Sequence, residues 1–131
     1  MKKLLSVPPM TLIRIGLALV FLANSITAFV YPSEFIELIE ASFVAGILGL
    51  VGVSPALFVV GIGFNDAIVA ALLFLNRGRV IASVWASLWL VAVLLVRGEP
   101  LEILEESGFL LMALALAQES CRVVLTSARK R

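Results

Sequence analysis

Residues 54–79 read SPALFVVGIGFNDAIVAALLFLNRGR, an apolar run opened by serine and proline and closed by an arginine-flanked turn. Ser54 offers a side-chain cap to a first helical turn, and Pro55 brings a preset φ where no N–H is needed. The run lasts through Asn76, which matches the roughly 20 residues needed to cross a hydrocarbon core. A rival frame would make Ala41–Ile62 the span and Gly63–Asp66 a loop. That frame strands Arg77 and Arg79 between short apolar halves deep in lipid, so the span is placed at 54–76.

Downstream, residues 80–96 form another apolar run, and residues 108–125 a further one after the acidic segment RGEPLEILEES at 97–107. Upstream, residues 10–31 form the first run, behind Lys2, Lys3 and the pair Pro8 and Pro9. Arg14 inside that run and a weak small-residue site near Ala23 and Ser25 argue against a cleaved signal peptide. Between the first two spans, PSEFIELIEAS at 32–42 places Glu34, Glu37 and Glu40 three apart among Phe35, Ile36, Leu38 and Ile39, which suits a short helix lying in the interface. Residues 43–53 are apolar but only about half a membrane long, with Gly46, Gly49 and Gly52, and fit a packed connector or tilted half-helix.

Composition agrees with four spans. Of 131 residues, 62% are hydrophobic and 15% charged, where soluble domains have roughly 45–50% and 25%. Mean hydropathy is +1.14, and a soluble chain this small could not hide so much apolar surface. The expected fold is therefore all-α: a single polytopic membrane domain over 1–131, a four-helix bundle with an interfacial helix after its first span. The lipid bilayer is its first partner.

Charge sets the expected orientation. Lys2, Lys3, Arg77, Arg79, Arg122, Arg129, Lys130 and Arg131 fall on one side of the four-span arrangement, against Arg97 alone in the opposite loops. By the excess of Lys and Arg on cytoplasmic loops, both termini are expected in the cytoplasm of a cell-membrane protein. The acids at 34, 37, 40, 99, 102, 105 and 106 lie on the other side and are consistent with this. A net charge of +1 gives no reason to expect a nucleic-acid partner. One cysteine, Cys121, and no histidine leave no intramolecular disulfide, CxxC pair, haem-ligating imidazole or usual zinc site. Neither haem nor zinc is expected.

Helical spacing suggests how the spans meet. Thr11, Arg14, Ala18, Phe21, Ser25 and Ala28 share a stripe of the first span, and Gly108, Met112, Ala115, Glu119 and Arg122 a stripe of the fourth. Gly63 and Ala67, Ala82 and Ala86, and Ser83 and Ser87 have the small-xxx-small spacing that lets membrane helices approach, and that permits a homo-oligomer. Trp85 and Trp89 lie inside their span, too deep for interface anchors, and read as packing residues.

The residues able to carry chemistry are few. A carboxylate in mid-span costs roughly 2.5–3.5 kcal/mol on insertion scales, so Asp66 should face the bundle interior. Arg14 and Glu119 lie nearer the basic end, and the three could share one layer, with Asn65, Gln118 and Asn24 extending the network. At 1.5 Å per residue Asp66 and Arg14 differ in depth by ~9 Å, near the reach of a guanidinium. Asn65 and Asp66, as helical neighbours, are expected to face different ways. Such a cluster suits a proton-exchanging site or a polar anchor for the headgroup of an apolar ligand. The plainer alternative has Arg14 snorkelling to the headgroups, Glu119 pairing with Arg122 and Asp66 bonding a neighbouring helix.

TLIRIGLALVFLANSITAF at 11–29, FNDAIVAALLFLNRGR at 64–79 and EESGFLLMALALA at 105–117 together resemble the DoxX family of small four-helix membrane proteins, over nearly the whole chain. Asp66 falls where members of that family often carry an acid. The resemblance implies an accessory or scaffold role in a membrane redox system, beside a separate soluble or membrane redox protein, with a quinone or lipid-like molecule as candidate ligand. The thiol-handling members differ from this chain, which has no cysteine pair, so the resemblance points to a non-thiol accessory role rather than a stand-alone enzyme. A small proton-coupled carrier and a purely structural membrane protein are the alternatives.

Overall fold

The structure, a computed structural model, describes residues 7–129. Lys2, Lys3, Lys130 and Arg131, four of the basic residues that set the expected orientation, lie outside that range. The described residues form six helices: α1 (Pro9–Val30), α2 (Pro32–Glu40), α3 (Val44–Val51), α4 (Pro55–Phe74), α5 (Arg79–Val96) and α6 (Pro100–Ala128). Among them α1, α4, α5 and α6 are long and apolar enough to cross a membrane, and no strand occurs among the described residues. The fold is the all-α four-helix membrane bundle, with short helices after the first span.

Local chemistry sets the boundaries. Proline occupies the first turn of α1, α2, α4 and α6. The Ser54 hydroxyl accepts from the Leu57 amide at 3.2 Å, as a capping serine should. α4 ends on Asn76, whose φ of 54° is left-handed, with Arg77 N–H donating to the Leu72 carbonyl at 3.1 Å and Asn76 N–H to Leu73 at 3.3 Å. This is the paired C-terminal lock usually built on glycine, with asparagine in its place.

The segment at 97–107 differs from the expected loop. Helix α6 already begins at Pro100 and runs for 29 residues, or roughly 43 Å, longer than a hydrocarbon core of about 30 Å. Proline at its first turn, Glu102 near its N-terminus and ion pairs from Arg97 to Glu102 and Glu106 hold these early turns in helix.

Packing joins α1 to α4 and α5 to α6 as two intimate pairs, closed by α1 against α6 and α4 against α5. Leu17, Ala18 and Phe21 meet Val69, Ala70 and Leu73, with Ala82, Ala86, Leu90, Ala113 and Leu116 completing one buried core. Ala28, Val59 and Ile62 with Ile39 of α2 and Leu48 of α3 form a second core at the other end. The outward faces carry Leu12, Leu19, Ile26, Leu57, Leu88 and Leu111, all exposed. An exterior of this kind suits lipid, not water.

The stripe expected on the first span is buried from Ala18 through Ala28, and the small pairs of α5 are buried as their spacing suggested. That of the fourth span is displaced: α6 buries Glu106, Ala113 and Leu116, whereas Gly108 and Arg122 are exposed. Apolar residues occur all round α6, so no one face stood out in the sequence. At the α1–α4 crossing a Cβ on Gly63 would stand 2.8 Å from the Phe29 ring, and the Ser25 hydroxyl donates to the Gly63 carbonyl at 2.8 Å. The absent side chain is what admits the ring there.

Candidate functional site

Two cavities separate Asp66 and Asn24 from Arg14 and Glu119. The first, of about 190 Å³, lies between α1, α2, α4 and α5 toward the acidic end, with the start of α3 at its rim. Its wall is mostly apolar: Phe35 and Ile39 from α2, Phe58 and Ile62 from α4, Val93 and Val96 from α5. Four polar side chains reach it, namely Asp66, Asn24, Trp89 and Arg97.

Asp66 is 2% exposed. Its carboxylate accepts from the Asn65 side-chain amide at 3.0 Å, and the Asn65 oxygen in turn accepts from the Trp85 indole at 3.0 Å. The two neighbours face different ways, as helix geometry predicts, with Asp66 lining the cavity and the half-buried Asn65 not, yet the Asn65 amide still reaches the carboxylate. Trp89 stands against the same carboxyl from α5, and Glu106 lies within electrostatic range. Among the described residues no cation forms an ion pair with Asp66; both pairs present belong to Arg97.

Arg97 closes the acidic end of this cavity. It pairs with Glu102 at 3.2 Å and Glu106 at 3.5 Å. Two buried atoms of this cluster, Arg97 Nε and Glu106 Oε2, have no hydrogen-bond partner among the described residues. The acidic outer segments drew no site assignment from sequence, yet their lone arginine lines the cavity of Asp66. Its isolation among acids was the available signal.

The second cavity, of about 110 Å³, lies at the basic end, where the N-terminal turns of α1 and α5 meet the C-terminal parts of α4 and α6. Arg14 and Glu119 line it together with Asn76, Arg79 and Ser83. Arg14 Nη1 donates to the Leu73 carbonyl and, at 3.1 Å, to that of Phe74. The guanidinium is therefore level with the end of α4 and is engaged there, seven residues or ~10 Å from Asp66.

The expected single layer of Arg14, Asp66 and Glu119 is thus two separate sites. The depth offset is real, and the carbonyls at the C-terminus of α4 hold the arginine locally, at the negative end of the helix dipole. Asn24 belongs with Asp66, and Asn65 supports Asp66 from beside it. Gln118 is exposed and lines neither cavity. Glu119 forms no ion pair with Arg122 among the described residues. Trp89, read from sequence as packing, lines the cavity as well. Among the described residues no three Cys, Asp or Glu side chains converge to hold a metal ion, and Cys121 is a half-buried free thiol.

No family model matches this chain, and neither does any curated protein or solved structure.

Proposed function

We propose that this protein is an accessory subunit of a membrane redox system, and that its bundle holds a quinone or closely related lipid-like molecule in the Asp66 cavity while a separate protein supplies the electron-transfer chemistry. The observation that carries this reading is the pairing of an apolar chamber with the deeply buried carboxyl of Asp66, which has no cationic partner among the described residues. A cavity of about 190 Å³ exceeds the roughly 150 Å³ that admits a benzene ring, so a single-ring headgroup fits. Phe35 and Phe58 offer aromatic walls, Asn24 and Arg97 Nε offer donors to ring carbonyls, and the lipid-exposed flanks of α4 and α5 leave a way out for an apolar tail. The DoxX-like resemblance supports the redox setting, and the segregation of basic residues supports the cell membrane with both termini in the cytoplasm.

The test uses the two tryptophans. Decyl-benzoquinone added to protein in mild detergent should quench indole fluorescence saturably, and Trp89→Phe should remove most of that quenching while Trp85→Phe retains it. Quenching that is linear in quinone, or equal in both variants, contradicts the site.

A second reading, a small proton-coupled carrier, draws on Asp66 and Glu106 being buried carboxyls within electrostatic range of each other. Reconstituted vesicles separate the two readings. Proton uptake driven by a solute gradient, lost in Asp66→Asn, favours the carrier; quinone binding without flux favours the subunit.

A further inference from the structure

The cavity at the basic end carries opposite charges that do not meet. Arg14 and Glu119 are both half-buried and line the same space of about 110 Å³, yet among the described residues they form no ion pair with each other or with any other group. Opposite charges lining one space and left apart keep donors and acceptors open to a ligand that carries both signs. Here the guanidinium is held back. Nη1 is engaged by the last carbonyls of α4, while Nε and Nη2 have no protein partner among the described residues. Glu119 comes from α6 on the other side of the space, and its carboxylate likewise accepts no hydrogen bond among the described residues.

From this geometry we infer that the basic-end cavity is a binding site for a zwitterionic headgroup, the phosphoethanolamine of a membrane phospholipid, with its phosphate on Arg14 and Arg79 and its ammonium on Glu119. A planar guanidinium with free donors is suited to phosphate oxygens, and an alkylammonium has three N–H groups to give a carboxylate. Asn76, Thr11 and Ser120 add neutral hydrogen-bonding groups, and Leu116 and Val123 on the α6 side continue toward lipid as a path for acyl chains. Charge selects among lipids. A phosphatidylglycerol headgroup satisfies the arginines but sets a second negative charge near Glu119 with no ammonium to offset it. A choline headgroup presents a quaternary ammonium that cannot donate a hydrogen bond. The site is independent of the quinone reading, since it lies at the opposite end of the bundle from the Asp66 cavity.

The test is a lipid titration of the full chain in mild detergent, followed by native mass spectrometry, with dioleoyl-phosphatidylethanolamine, -phosphatidylcholine and -phosphatidylglycerol in parallel. The ethanolamine lipid should bind about tenfold more tightly than either of the others, the scale of one charge-assisted hydrogen bond. Glu119→Gln should erase the preference over the choline lipid, and Arg79→Gln should weaken all three. Arg14→Gln should do the same; because it also uncaps α4, the first two variants decide the matter if it fails to fold. Equal binding of all three lipids, tighter binding of phosphatidylglycerol, or an unchanged preference in Glu119→Gln would overturn the assignment. Soluble phosphoethanolamine should not displace the lipid at matched concentration. If it does, the ligand is a free zwitterion and the lipid assignment is wrong.

Discussion

Arg14, on the first span, donates to the carbonyl of Leu73, the residue one turn before the left-handed Asn76 that ends α4. A cation inside an apolar run is thereby a helix cap and not a free charge: it meets the last carbonyls of α4, that of Leu73 shared with the Asn76 N–H, at the negative end of the helix dipole. The same contact ties α1 to α4 beneath the main core. Replacing Arg14 by Gln keeps a donor but loses the charge and the reach of the guanidinium. The expected loss is about 1–2 kcal/mol, the upper range for a dipole-capping charge, read as a lowered thermal midpoint in detergent. Lys at 14 should recover only part of it, because a single ammonium lacks the planar fork.

The Arg97 cluster gives a graded prediction. Glu102 is the more solvent-accessible of its two partners, so Glu102→Gln should change stability by less than about 1 kcal/mol. Arg97→Gln leaves Glu106, 6% exposed, without its cation. Breaking a buried pair costs roughly 3–5 kcal/mol, and partial exposure of Arg97 reduces that to about 2–3 kcal/mol here. Glu106→Gln in the Arg97→Gln background should restore part of the loss. A double-mutant cycle measures the coupling directly.

Gly63 tests the α1–α4 crossing. A methyl group there meets the Phe29 ring at 2.8 Å, but Phe29 is half exposed to lipid and can swing outward. The cost of Gly63→Ala is then the lost edge-to-face contact with Phe64, whose ring centroid is 5.2 Å away, or about 1 kcal/mol. Phe29→Ala combined with Gly63→Ala should therefore be no worse than Phe29→Ala alone.

Orientation can be read with single cysteines in a Cys121→Ser background. Cysteine at Glu99 should react with an impermeant maleimide added outside intact cells, and cysteine at Arg77 only after the membrane is opened. The reverse pattern would invert the bundle.

The spans were legible because apolar runs bounded by charge are a property of local sequence, and Ser54 and Pro55 mark a helix start by residue chemistry alone. Ala18, Phe21, Ser25 and Ala28 could be placed on one buried stripe for the same reason. α6 was not legible in detail: it is apolar all round, so nothing local distinguished Ala113 from Ala115, and its first turns depend on Arg97 from the preceding segment. The site residues were recognised as unusual, since intramembrane charge is rare, but their grouping was not. Whether Arg14 reaches Asp66 or the carbonyl of Leu73 depends on how far α1 slides along α4, a tertiary quantity fixed by contacts such as Ser25 to Gly63.

The most direct measurement is mass spectrometry of the organic extract from protein purified in mild detergent, comparing the native chain with Asp66→Asn. Co-purification of a quinone or a related single-ring lipid near one per chain, lost in Asp66→Asn while the variant keeps its thermal midpoint, is the expected result. An extract with no such molecule from the native chain, or an equal amount from the variant, would contradict a ligand site at Asp66.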